Sequence, residues 1–172
     1  MTDLRFPIGE FNLANFASRD ENLLTIRELP AKLAAAVAGL SDEQLDTEYR
    51  PGGWTVRQTV HHLADSHANS IIRFKLALTE DSPPTIKPYY EERWAELGDS
   101  KLPIDVSLRM LTAIHERWSA LLESMPDEDF KREFIHPETG NWPLENALAL
   151  YAWHSLHHTA HIVHLCNRNE WN

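Results

Sequence analysis

Trp153-His154-Ser155-Leu156-His157-His158-Thr159-Ala160-His161-Ile162-Val163-His164 carries five of the ten histidines of a 172-residue chain. Neither Gly nor Pro interrupts it, and Ala, Leu, Ile and Val separate the histidines, so the stretch reads as a helix. Residues four apart on a helix stand one above the other on the same face. His154 with His158, and His157 with His161, are two such pairs. Two imidazoles so placed can aim nitrogens at one point, the geometry a metal requires of a single helix. A further ligand must come from elsewhere, and His61-His62-Leu63-Ala64-Asp65-Ser66-His67 offers a second cluster.

Working outward, the helix predicted to hold the first cluster runs from Pro143 to about Arg168. Its apolar stripe is Leu144, Ala147, Leu148, Tyr151, Ile162 and Leu165. At about 100° per residue, His154 and His158 fall within that inward face and His161 at its margin. His157 and His164 are expected further round, toward solvent or a partner chain. The second cluster lies on a helix capped by Thr55 and Gln58 and running to about Thr79. Val56, Val60, Leu63, Ala64, Ile71, Phe74 and Leu78 form its apolar stripe, with His67 in the middle. Gln58, His62, Asp65, Ser66, Asn69 and Arg73 form a polar stripe without Lys or Glu, more like a site wall or an interface than a solvated face. Periodicity leaves open whether His62 or His67 completes the set.

The rest of the chain adds two more long helices. Ser18 and Glu21 form a capping-box signature, and apolar residues recur at helical spacing from Leu23 to Val37. Pro30 within that run is expected to kink or split it. Ser41 to Gln44 can add one turn, and Arg50-Pro51-Gly52-Gly53 reads as a sharp loop. Residues 80–103, with four prolines, read as a long crossover with one short helix near Glu91–Leu97, of a length that often covers a site. Leu108, Leu111, Ile114, Trp118, Leu121 and Leu122 mark a helix over about Asp105–Met125. Residues 126–142 read as irregular, with a short extended pair near Glu133–Ile135. The expected architecture is all-α, an antiparallel four-helix bundle with a long crossover connection. It forms one domain over 1–172, with 1–17 as an N-terminal arm whose Phe6, Phe11, Leu13 and Phe16 can pack on the body.

A formal net charge of -10 and the lack of a basic cluster argue against nucleic acid and against an anionic membrane surface as partners. The N-terminus lacks a signal-peptide pattern, and no apolar run approaches a membrane span, so a cytoplasmic protein is expected. One cysteine, Cys166, excludes an intramolecular disulfide and is expected to be an inert buried thiol. Any metal site would rest on imidazole. Trp54 and Trp153 are candidate pocket walls.

The run Gly52-Gly53-Trp54-Thr55-Val56-Arg57-Gln58 leading into His61-His62-Leu63-Ala64-Asp65, followed by the terminal His154-x3-His158, resembles the YfiT-like group of the DinB-like superfamily. Its members go by the name of metal-dependent hydrolases, and the superfamily includes bacillithiol transferases. Pro7-Ile8-Gly9-Glu10, Arg73-Phe74-Lys75-Leu76 and Glu145-Asn146-Ala147-Leu148 extend the likeness over nearly the whole chain. The resemblance implies a four-helix bundle, a homodimer, and one divalent metal ion per chain held by His62, His154 and His158. Three neutral imidazoles leave a coordination position open, as catalytic sites do. Zinc is the expected ion, and nickel suits the same donors. Asp65 and Ser66, one turn beyond His62, are candidates to orient a water, with Asp65 the candidate catalytic carboxylate. The expected function is hydrolysis of a small-molecule substrate by metal-activated water. The alternative is a low-molecular-weight-thiol S-transferase in which the metal activates a thiol such as bacillithiol and Arg57 or Arg73 receives its acidic groups. A non-enzymatic metal-binding scaffold is a third reading.

Overall fold

The computed structural model describes residues 3–15 and 17–171; Phe16 lies outside the described residues. Four long helices, α1 (Arg19–Val37), α3 (Val56–Thr79), α5 (Asp105–Ser124) and α6 (Leu144–Arg168), build a four-helix bundle. The short helices α2 (Asp42–Leu45) and α4 (Glu91–Trp94) sit in the connections, and a hairpin of β1 (Glu133–His136) and β2 (Gly140–Pro143) precedes α6. The short extended pair expected near Glu133–Ile135 is this hairpin, with Phe134 opposite Trp142. No helix among the described residues is long and apolar enough to cross a membrane.

Capping fixes where helices start. Ser18 with Glu21, Ser41 with Gln44 and Thr55 with Gln58 all close reciprocal capping boxes, satisfying donors that a helix N-terminus otherwise leaves bare. Pro30 does not split α1, which is continuous. In a regular helix the Ile26 carbonyl would accept the N–H of residue 30, and proline has none. That carbonyl accepts a hydrogen bond from His115 Nδ1 instead, at 2.5 Å.

The packed pairs are α1 with α5 and α6, and α3 with α5 and α6, so α1 faces α3, and α5 faces α6, across the diagonal. Side-chain pairs give the directions. His61 meets Ser107, His67 meets His115 and Phe74 meets Trp118, so α3 and α5 run parallel. Arg57, Trp54 and His62 lie toward one end of α3, and Trp54 and His62 face His158 while Arg73 reaches Tyr151, so α3 and α6 are antiparallel. Parallel neighbours cannot be joined by a tight turn, which is why the 80–104 connection must travel the length of the bundle.

The apolar core is in two clusters. Leu33, Val56, Val60, Leu63, Leu111 and Ile162 belong to one; Ile26, Phe74, Trp118, Leu122, Leu144, Leu148 and Tyr151 belong to the other. Along α3, α5 and α6 the stretches between the two clusters carry His67, His115, and His154 with His158. A layer of imidazoles thus crosses the bundle interior.

Candidate metal centre

α6 supplies His154 and His158 one turn apart, and α3 supplies His62 from the facing antiparallel helix. One ligand nitrogen from each lies within 4.8 Å of the others. His62 Nε2 and His154 Nε2 are 3.1 Å apart. The His158 ring stands edge-on to both, with centroids 4.8 Å from His62 and 4.4 Å from His154. Tetrahedral zinc with Zn–N bonds of about 2.0–2.1 Å separates its nitrogens by about 3.3 Å. The three residues therefore fit a small divalent ion.

Electrostatics favours the same use. Burial holds His62 down to about 4, and burial followed by the neighbouring imidazoles holds His154 and His158 well below the ordinary histidine value. Each ring is neutral near pH 7 and offers a lone pair.

The three histidines line the floor of a cavity of about 360 Å³. The loop 49–54 forms one wall. Trp54 packs on His62 at 4.4 Å and on His158 at 6.0 Å. Gly52, at φ +69°, permits the turn that returns the chain to α3. Trp153 also lines it, so both expected tryptophan walls belong to the cavity. The crossover supplies Glu91 and Glu92 from α4 to the cavity lining. Burial raises the Glu91 carboxyl, Arg73 opposes that, and Glu92 and Glu138 add to it. Sequence reasoning missed these two glutamates as well as Arg50 and Tyr49; Pro88 followed by a short helical turn was the only local signal.

Other expectations meet different surroundings. His157 and His161 were expected at the margin or facing out, but both are buried. Phe6 of the N-terminal arm lies 6.1 Å from His157, Trp153 stacks on it at 4.4 Å, and Tyr49 covers His161 at 3.9 Å. Their Nε2 atoms are 3.0 Å apart, and with His158 they form a second compact nitrogen group that shares His158 with the first. Phe11 packs on Trp142 and Trp153, whereas Leu13 is exposed. Asp65 is not among the residues lining the cavity; burial and the charge of Asp99 push its carboxyl up to about 6. Arg57 is held by Asp46 at 2.6 Å and Asp42 at 2.8 Å beside a separate cavity of about 660 Å³ that no histidine lines. Arg73 donates to the Tyr151 hydroxyl at 2.8 Å. Cys166 is buried, and burial raises its thiol.

The model of the DinB superfamily matches residues 25–162. The chain belongs to this superfamily. A Bacillus cereus (strain B4264) protein named "putative metal-dependent hydrolase" is 56% identical over 174 residues, covering 99% of this chain and all of its own length. A Bacillus mycoides (strain KBAB4) protein of the same description is 55% identical over the same shares. Among solved structures, YfiT from Bacillus subtilis, described as a probable metal-dependent hydrolase with an unusual four-helix bundle topology, superposes with a TM-score of 0.92 at 53% identity over 98% of this chain and 99% of its own. The mycothiol-dependent maleylpyruvate isomerase shares the fold at a TM-score of 0.67 and 14% identity, over 83% of this chain and 60% of its own.

Proposed function

We propose that this DinB-superfamily protein is a metal-dependent hydrolase of a small molecule, with one zinc ion held by His62, His154 and His158. The observation that carries the reading is the convergence of three neutral imidazole nitrogens on the floor of a cavity whose wall bears two carboxyl groups. A divalent ion held by three imidazoles supplies Lewis acidity at an open coordination position. The relatives' shared description as metal-dependent hydrolases supports the same reading.

The chain's own groups divide the remaining work. Trp54 packs against two of the three imidazoles and limits water access on that side. Glu91, its carboxyl raised by burial, is suited to take a proton from water and return it to a leaving group. Asp65, pushed up to about 6, stands outside the cavity lining, so a water-orienting role for it would have to act through another group; activity surviving Asp65→Ala essentially intact removes that role.

The experiment is turnover of a panel of esters and amides by zinc-loaded protein, with and without added thiol. Hydrolysis independent of thiol, reduced about 10²–10⁴-fold in Glu91→Gln with metal content unchanged, is the expected result. Turnover that requires a thiol and an electrophile would replace hydrolysis with S-transfer, and Arg50 on the cavity wall would then be the cation facing an acidic thiol.

A further inference from the structure

His154 Nδ1, on the ring edge away from the cavity group, lies 3.4 Å from His67 Nε2. His67 Nδ1 lies 2.8 Å from His115 Nε2, and His115 Nδ1 lies 2.5 Å from the Ile26 carbonyl. Trp118 stands edge-on to both His67 and His115, and Tyr151 to His67, which fixes the ring planes. This row of rings has a direction, and the direction follows from one end.

A carbonyl oxygen only accepts, so the proton of the last bond is on His115 Nδ1. His115 is 1% exposed and His67 not at all; neither makes an ion pair with a carboxylate among the described residues, and each ring is neutral with one N–H. His115 Nε2 is therefore bare and accepts from His67 Nδ1–H. His67 Nε2 is then bare in turn and accepts from His154 Nδ1–H. His154 is left with its lone pair on Nε2, the atom 3.1 Å from His62 Nε2. Running the chain in reverse would strip the donor from the buried Ile26 carbonyl, whose usual helical partner Pro30 lacks.

We infer that Pro30, His115 and His67 form a one-way hydrogen-bond chain that fixes His154 in the tautomer presenting a bare Nε2 to the metal. The inference rests on the metal reading above and assigns His67 and His115 as positioning residues. It also gives the mid-helix proline a purpose, since Pro30 frees the acceptor that sets the order of every proton after it. His158 differs: its Nδ1 is buried without a hydrogen-bond partner among the described residues, so the chain acts on one ligand of the three.

Long-range proton–nitrogen NMR on the full chain labelled with nitrogen-15 histidine reads the tautomers directly. The expected result is an Nδ1–H tautomer at His115, His67 and His154 in metal-free protein, unchanged at His154 after zinc is added. Zinc competition titrations then compare variants. His115→Phe should weaken zinc binding about 10–100-fold. Pro30→Ala returns an N–H that competes for Ile26, and it should weaken zinc binding while leaving thermal stability equal or higher, a combination that loss of packing does not produce. An Nε2–H tautomer at His154 in metal-free protein, or zinc affinity within twofold of wild type in both variants, overturns the inference. Failure of wild-type protein to bind zinc overturns the metal reading and the chain's purpose with it, while the tautomer spectrum still judges the chain's direction.

Discussion

Gly53 has no room for a side chain. A Cβ built there would meet Arg50 Cγ at 2.8 Å, the Arg50 carbonyl at 3.2 Å and Tyr49 Cζ at 3.2 Å. Gly53→Ala must therefore displace the loop that carries Trp54 onto His62, at an expected cost of about 1–3 kcal/mol, read by denaturant unfolding of the metal-free protein. A second residue-scale expectation concerns stoichiometry. His62→Ala and His158→Ala should lose the single equivalent of zinc measured by elemental analysis of untagged protein, while His161→Ala retains it; loss in His161→Ala alone would move the site to the second nitrogen group. Much of the candidate site could be read from spacing: the pair His154 and His158, four apart among apolar residues, and a second cluster on a helix face free of Lys and Glu. Burial of His157 and His161 could not, because Phe6 and Tyr49, which cover them, are more than 100 positions away in the chain. Periodicity left the choice between His62 and His67 open because one lies on the polar stripe of its helix and the other on the apolar stripe; both meet His154, at different ring nitrogens.

At the scale of elements, α3 brings His62 to the histidine pair on α6, and it begins at a capping box. Thr55 Oγ1 accepts from Gln58 N at 3.1 Å, and Gln58 Oε1 accepts from Thr55 N at 3.0 Å. The Gln58 amide also donates to the Ala95 carbonyl at 3.0 Å, tying the crossover to the start of the helix. Thr55→Ala should cost about 1 kcal/mol of stability. Thermal unfolding measures that cost, and a Gln58→Ala variant should add loss of protection at residues 95–97 in hydrogen exchange. The helices themselves were legible because caps and apolar spacing are local. The parallel pairing of α3 with α5 was not, because it depends on which faces meet; the length of the 80–103 segment was its trace in the sequence. Pro30 signalled a break on local grounds, and the break is absent because a side chain from another helix takes the carbonyl that the proline leaves free.

The whole molecule places a layer of neutral histidines between two apolar clusters, and that arrangement makes its stability depend on pH. Burial holds His62, His115 and His157 at about 4 and His161 at about 3, against 6.5 for an exposed ring. Between pH 6.5 and about 4 the unfolded chain therefore binds more protons than the native one, so unfolding becomes easier as pH falls. Asp65, raised to about 6, and Glu91, also raised, act with the opposite sign, since the native state binds their protons first. The histidines outnumber them, and His67, His154 and His158 are lowered as well. Melting of metal-free protein followed by circular dichroism should show Tm falling steadily from pH 7 to pH 4.5, and a flat or rising Tm would contradict a neutral imidazole layer. Zinc should raise Tm at pH 7 by binding only the folded chain. Because protons and metal compete for the same nitrogens, that gain should shrink as pH falls through the same window. A gain in Tm that stays constant down to pH 4.5 would place the ion on carboxylates and not on His62, His154 and His158.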